Sequence, residues 1–267
     1  MSTTKNHDST PLRHCDLYAG IGGFTQAAQQ LGEIQTTQFV EINRDAQLIL
    51  RSHFPNIPIH SDIRDYHPRN QEFDLISCGF PCTGTSRAGK REGLSHPDSA
   101  LWRHGLRICA TVRPQFFITE QPLGVIQQGL RAIIGGFRMV GYSAELTIVR
   151  ASELGAGHQR ARVFVISYPN QWRSLFKIAP RWDNQMREMV QRQRANSSWL
   201  TVKRPSDGSN HGISRGLSHS SLTVPTHHPG RIRARYLAGR TVTPAQAAIA
   251  LSRVLYLSRL SNSVNES

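Results

Sequence analysis

Strand-sized apolar runs and helix-sized stretches alternate along the first 168 residues, and this alternation constrains the fold more than any other feature of the chain. Leu12 to Tyr18 reads as a strand, broken by the glycines of Gly20-Ile-Gly-Gly23, and Phe24 to Leu31 as a helix closed by Gly32. Gln38 to Glu41 reads as the next strand and Arg44 to His53 as the next helix. Phe73 to Ser77, Gln115 to Thr119, Tyr142 to Arg150 and Arg162 to Tyr168 read as further strands. Strands of about five residues separated by helical stretches predict βαβ units around a mostly parallel sheet. The expected class is α/β, Rossmann-like, with helices on both faces.

At Pro169 the character changes. Residues 170–240 lose the alternation, become rich in Arg, Ser, His and Gly, and hold 13 Lys+Arg against 3 Asp+Glu. The 267-residue chain has a formal charge of +14, so ten of the fourteen charges fall in this stretch. Such a concentration predicts a polyanionic partner, a nucleic acid in preference to an anionic membrane surface. Pro244 then opens another helix, Ala245 to Leu257, with Thr243-Pro244 as a fitting start. The expected organisation is an α/β domain over 1–169, a small basic region over 170–236, a segment and helix over 237–260 that return to the first domain, and a frayed end over 261–267. Of the three tryptophans at the start of the basic region, Trp172, Trp182 and Trp199, a small core is the expected use, ahead of base stacking.

Composition excludes broader classes. With 38% hydrophobic and 19% charged residues, the chain is neither a disordered polyelectrolyte nor a membrane protein. It has no run of eighteen apolar residues, so no transmembrane helix is expected. The polar start, Met1 to Thr10, lacks the apolar centre of a secretory signal, and a cytoplasmic location is expected. Four cysteines (Cys15, Cys78, Cys82, Cys109) are too few for a disulfide scaffold and stand available as thiols. Four ligands do not gather around them, so no metal site is expected.

Asp16-Leu-Tyr-Ala-Gly-Ile-Gly-Gly-Phe24 joins the first strand to the first helix, where a doubly wound sheet binds its ligand. Its glycines let the backbone approach a ligand and adopt positive φ. The loop has neither the Gly-x-Gly-x-x-Gly order of a dinucleotide site nor the Lys-Ser/Thr pair of a triphosphate loop. Glu41, twenty-five residues after Asp16 at the end of the second strand, suits the two hydroxyls of a ribose. An N-cap for the helix starting near Arg44 is the competing assignment. Asp62, beyond the second helix, suits an adenine amino group. Gly79-Phe-Pro-Cys82 follows the strand Phe73 to Ser77, so Cys82 can stand over the same crevice as a nucleophile, active as its thiolate. A buried structural cysteine is the alternative. The polar, basic stretch Thr83 to Arg91 suits a lid that closes over a polyanion.

These blocks, followed by Glu120 and by His158-Gln-Arg160-Ala-Arg162 and then by Gly239-Arg-Thr-Val-Thr-Pro244, resemble the DNA (cytosine-5) methyltransferases. Order and spacing match from Arg13 to Tyr168 and again from Leu237 to Leu257. The resemblance implies S-adenosylmethionine as methyl donor, S-adenosylhomocysteine as product, and the corresponding methyltransferase fold. By it, Tyr18 would lie against the adenine, Gly20, Ile21, Gly22 and Gly23 would approach the methionine end, and Glu41 would hold the ribose. Ile42 would pack on the adenine, Asp62 and Ile63 would recognise its edge, and Leu101 and Thr241 would complete the pocket. Ala19, Phe24, Gly79 and Pro81 are counted with these cofactor contacts. Cys82 would add as thiolate to cytosine C6, which activates C5 toward the methyl group. Glu120 would protonate or hydrogen-bond N3. Arg162 would hold O2, with Arg160 supporting the same corner. The target base would flip out of the duplex.

Three positions depart from the family pattern: Gln121 where Asn usually follows the catalytic Glu, His158 where Gln is common, and Arg240 in place of Asn. The basic insert falls where the family carries its target-recognition region. Ser86, Arg87, Lys90 and Arg91 in the lid, and Arg173, Arg181, Arg192, Arg194, Lys203 and Arg204 in the insert, are the candidate DNA contacts. The expected partner is double-stranded DNA bound by a monomer, with a cognate restriction endonuclease as functional counterpart. Methylation of RNA cytosine and a non-catalytic DNA-binding role are the alternatives.

Overall fold

The computed structural model describes residues 10–81, 100–156, 158–195 and 241–265. Seven strands form one sheet: β1 (Leu12–Leu17), β2 (Ile34–Val40), β3 (Ile59–His60), β4 (Leu75–Cys78), β5 (Phe116–Pro122), β6 (Tyr142–Arg150) and β7 (Ala161–Pro169). Their order is β3-β2-β1-β4-β5-β7-β6. The five strands from β3 to β5 are mutually parallel, while β7 is antiparallel to both β5 and β6. The direction of winding reverses between β1 and β4, which is where an open α/β sheet forms its ligand crevice.

The helices among the described residues are α1 (Gly23–Leu31), α2 (Arg44–His53), α3 (Trp102–Val112), α4 (Val125–Gln128), α5 (Leu130–Met139), α6 (Arg173–Lys177), α7 (Trp182–Ala195) and α8 (Pro244–Asn265). Gly32 closes α1 in the left-handed conformation at φ 78°, its N–H donating to the Ala28 carbonyl, as a glycine C-cap does. Asn43 opens α2 by accepting the Ala46 N–H at 3.0 Å.

Two apolar layers sandwich the sheet. On one face, Leu75, Ile118, Phe164 and Ile166 pack against Phe24, Ala27 and Ala28 of α1 and Ala247, Leu251 and Val254 of α8. On the other, Cys15, Ile76, Phe117 and Val165 pack against Ile108 and Val112 of α3 and Ile133 and Phe137 of α5. Central strands buried on both sides explain their continuous apolar runs.

The C-terminal helix is longer than the sequence indicated. It runs on to Asn265, and Ser261, expected to begin a frayed end, is 2% exposed. Its polarity pattern hides a second feature, for Arg253 is 1% exposed and makes a bidentate pair with Glu145 of β6. Arg253 also donates to the Pro180 carbonyl and to Gln185, so one buried guanidinium ties α8 to β6 and α7.

Packing also continues across the boundary expected at residue 170. Phe176 and Trp182 are buried in the same layer as α1 and α8, with Trp172, Met186, Met189 and Val190 against it. Trp172 and Trp182 thus serve a core, but it is the core of the sheet domain. Trp199 lies outside the described residues.

Candidate active site

The loop after β1 turns by positive φ at Tyr18 (57°), Gly20 (56°) and Gly22 (87°). At Gly20 the φ and the space both exclude a side chain, since a Cβ would lie 2.7 Å from Thr241 Oγ1. Gly23 has an ordinary φ but lies against backbone: its Cβ would meet the Val242 carbonyl oxygen at 2.3 Å. The loop is therefore seated on the segment that leads into α8. Beneath it, Ala19, Ile21 and Phe24 are buried. Phe24 makes an edge contact with Phe164, centroids 6.3 Å apart, so its side chain belongs to the core and not to a ligand surface as expected.

Glu41 is 9% exposed and ties the end of β2 to this loop. Its carboxylate accepts the Gly20 N–H at 2.8 Å and the Asn43 N–H at 2.7 Å. The N-cap of α2 is Asn43, which disposes of the competing assignment for Glu41. Its neighbour Ile42 is 61% exposed, an apolar side chain left open beside a carboxylate. Asp62 is paired with Arg64, which holds its carboxyl near pKa 2, and Ile63 is buried. Arg107 of α3 donates to the Ile63 carbonyl at 2.8 Å. Across from them, the Tyr18 hydroxyl donates to the Leu101 carbonyl at 2.8 Å, and burial pushes its pKa up. Tyr18, Leu101, Ile63 and Ile42 thus gather around the ends of β1 and β2.

A buried polar chain lies under the same edge. Ser77 Oγ donates to Asp16 at 2.6 Å and contacts His14 Nε2 at 2.8 Å, while His14 Nδ1 contacts Thr36 Oγ1 at 2.8 Å. Because Ser77 spends its proton on Asp16, His14 must be protonated on Nε2 and accept from Thr36 on Nδ1. Burial holds His14 down to about 3 and raises Asp16 to about 7.

The second cluster lies at the end of β5. Because β7 runs antiparallel to β5, Arg162 at the start of β7 is opposite Pro122 and close to Glu120. Glu120 and Arg162 pair at 2.6 Å, with side chains 9% and 15% exposed. Burial raises the Glu120 pKa, and Arg162 and then Arg160 oppose it without cancelling it. A Cβ on Gly79 would lie 3.2 Å from Glu120 Oε2, so the carboxyl sits directly beside the turn after β4. Gln121 Nε2 donates to the Phe80 carbonyl at 2.8 Å from a side chain that is nearly inaccessible. The Gln that departs from the family pattern therefore holds the backbone of the Gly-Phe-Pro turn. Pro81 is the last described residue of that turn, and Cys82 lies outside the described residues.

Arg160 Nη2 donates to the Thr241 carbonyl at 2.7 Å. The C-terminal segment thus touches both clusters: the glycine loop through Thr241 and Val242, and the arginine strand through Thr241. Arg107 and the Arg160–Thr241 link carried no strong sequence signal, since each works through a backbone carbonyl that no side-chain pattern marks.

The expected DNA contacts separate. Ser86, Arg87, Lys90, Arg91, Lys203 and Arg204 lie outside the described residues, as does Arg240. Arg173 is exposed on α6, but Trp172 and Phe176 beside it pack on Phe116 at the start of β5. This places Arg173 at the sheet edge opposite Glu120 and Arg162, away from the site it was expected to serve. Arg181 is 85% exposed, at 3.8 Å from Asp183. Asp183 in turn accepts from Thr147 at 2.8 Å in the middle of β6. Helix α7 also packs against the 3-10 turn Ala151–Leu154, and the side chains of Arg192 and Arg194 lie outside the described residues.

Among the described residues there is no group of three His, Cys, Asp or Glu that could hold a metal ion. Nor is any helix long and apolar enough to cross a membrane.

Residues 12–218 match the family model described as C-5 cytosine-specific DNA methylase. The chain is 32% identical over 159 residues to the type II methyltransferase M.CviJI of Paramecium bursaria Chlorella virus IL3A, covering 58% of this chain and 43% of that protein. It is 28% identical over 172 residues to the type II methyltransferase M.MspI of Moraxella sp, covering 62% of this chain and 41% of that protein. The aligned part thus spans less than half the length of either relative. The crystal structure of the S. pombe Dnmt2 methyltransferase superimposes with a TM-score of 0.62 over 92% of this chain and 98% of that chain, at 15% identity, a likeness of fold.

Proposed function

Because the chain belongs to the C-5 cytosine-specific DNA methylase family, we propose that it transfers a methyl group from S-adenosylmethionine to C5 of a cytosine in a short duplex DNA sequence. The observation that carries this reading is the Glu120–Arg162 pair, buried at 2.6 Å beside the Gly79-Phe-Pro turn that leads to Cys82. Burial works against the charged form of Glu120, and a carboxyl at this place suits hydrogen bonding to cytosine N3. Arg162 faces the same corner and suits the O2 oxygen, where negative charge develops.

The residues around the glycine loop fit an adenosine. The Glu41 carboxylate stands at the end of β2 where a ribose would lie, the exposed Ile42 offers an apolar face for a ring, and the turn at Asp62 and Ile63 offers its edge. When bound, S-adenosylmethionine supplies a methyl group on a sulfonium. In this reading Cys82 would add as thiolate to C6, Glu120 would hydrogen-bond N3, and the resulting enamine would take the methyl group at C5, with S-adenosylhomocysteine leaving. A base, water or a side chain, would then take the C5 proton as the Cys82 thiolate is eliminated. The target base leaves the duplex for this to occur. The basic insert would grip phosphates, and the type II names of the relatives support a restriction-modification role with a cognate endonuclease.

The test incubates the protein with labelled S-adenosylmethionine and either unmethylated DNA or tRNA, with Cys82→Ala as control. Label on DNA cytosine C5 is expected, absent in Cys82→Ala. Label on tRNA alone would move the substrate to RNA, and no label on either would remove the reading. Bisulfite sequencing of DNA from expressing cells then gives the recognised site.

A further inference from the structure

Gln246, in the first turn of α8, is completely buried. Its amide nitrogen donates to two carbonyls at 2.8 Å each, those of Val149 at the end of β6 and of Arg160 just before β7. Its amide oxygen accepts from the Thr243 hydroxyl at 2.9 Å. Two carbonyls on one side and a hydroxyl on the other allow only this orientation of the amide. The Arg160 carbonyl also accepts the Ala151 N–H at 3.1 Å, so it is held from two directions. Five residues before Gln246, the Thr241 carbonyl takes the Arg160 guanidinium at 2.7 Å. A single short segment therefore grips Arg160 at its backbone and at the tip of its side chain. Arg162, two residues on, is the partner of Glu120.

We propose that Gln246 is a positioning residue for the reaction: it fixes the backbone of Arg160 and so sets the arginine corner against Glu120. Ala247, Ile249, Ala250 and Leu251 near it in α8 are buried and apolar, so an apolar side chain would find apolar neighbours here. A buried amide satisfied on every polar atom specifies one arrangement of its partners. The inference rests on the methyl-transfer reading for the meaning of Arg160, but the contact itself does not.

The experiment compares the wild type with Gln246→Leu, Arg160→Met and the double variant. Gln246→Leu is expected to lower kcat about tenfold while leaving KM for S-adenosylmethionine within about twofold, because the loss acts through Arg160 and not on the glycine loop. The double variant is expected to be no slower than Arg160→Met alone, the mark of two residues acting through one interaction. Effects that multiply in the double variant, or a kcat for Gln246→Leu within twofold of wild type, would overturn the proposal. If Gln246→Leu does not fold, Thr243→Val, which frees the amide to turn, is read in the same cycle with the same expectation. An independent readout is the Arg160 side-chain N–H resonance in nitrogen-15 spectra, assigned by its loss in Arg160→Met. It should be slow to exchange in the wild type and fast in the Gln246 or Thr243 variant, and an unchanged signal would overturn the proposal whatever the activity. Absence of methyl transfer in the wild type would instead count against the functional reading, with the resonance still deciding the role of Gln246.

Discussion

Glu120 and Arg162 form an ion pair at 2.6 Å across the end of the antiparallel β5–β7 pair, both largely shielded from water. The antiparallel insertion of β7 is what makes this possible. A parallel β7 would have put its first residue at the opposite edge of the sheet. The pair leaves Glu120 with a pKa above the usual carboxylate value, since the desolvation of the carboxyl outweighs the two guanidinium charges near it.

Glu120→Gln keeps the shape and a hydrogen-bonding partner for Arg162 but has no proton to give. Methyl transfer should fall by about two to four orders of magnitude, the range for removing a general acid. Circular dichroism and the melting temperature should stay near those of the wild type. Initial rates with labelled cofactor check the first expectation; retention of more than a tenth of the rate would remove Glu120 from the chemistry.

Gly23→Ala and Gly135→Ala should behave oppositely. At Gly23 the new methyl group meets backbone, the Val242 carbonyl at 2.3 Å, which cannot yield without moving the segment that seats the glycine loop. Cofactor affinity should drop about tenfold or more and the melting temperature should fall, as overpacking costs about 1–3 kcal/mol. Gly135, inside α5, has nothing within 4 Å of its would-be Cβ. There alanine should be neutral or stabilising, by up to about 1 kcal/mol from helix propensity. Calorimetric titration and thermal melts read both.

His14 and Asp16 should pull stability in opposite directions with pH. Asp16 is raised from 3.8 to about 7, so the folded state keeps a proton that the unfolded chain has lost. Its contribution is fully present below about 4 and fades as pH rises to about 7. His14 is lowered from 6.5 to about 3, so its contribution is present above about 6.5 and fades as pH falls to about 3. The two slopes oppose each other over the shared window. Asp16→Asn should make stability rise with pH between about 4 and 6.5, and His14→Phe should make it fall, each approaching about 1.4 kcal/mol per pH unit. Urea unfolding at a series of pH values would show this. Parallel curves for wild type and both variants would mean that neither group changes its protonation on folding.

Much of the fold was legible because it rests on local periodicity. The alternation of strands and helices, the glycine that ends α1 and the start of α8 at Pro244 are each written in a few adjacent residues. Glu120 was legible as the last acid of a buried strand, and the arginines as a pair at the start of another. The interruption at Pro169 was also legible, yet it marked a change of composition and not of packing. Phe176 and Trp182 fill the same apolar layer as α1 and α8, because a sheet face needs cover wherever the covering residues come from. Arg173 was misplaced for a related reason. Charge along the chain says nothing about which edge of a sheet the chain has reached.

By itself the sequence determined the α/β class, the glycine loop and the family to which the chain belongs, and it named Glu120, Arg160 and Arg162 as candidates. The tertiary structure decided which of these meet. It set Glu120 against Arg162 through one antiparallel strand, used Gln121 to hold the turn before Cys82, and turned Phe24 inward to the core. It also gave Thr241 and Gln246, about eighty residues downstream, the task of holding Arg160. Those contacts run between side chains and distant backbone carbonyls. Every residue presents the same carbonyl, so only the folded chain says which one a side chain will find.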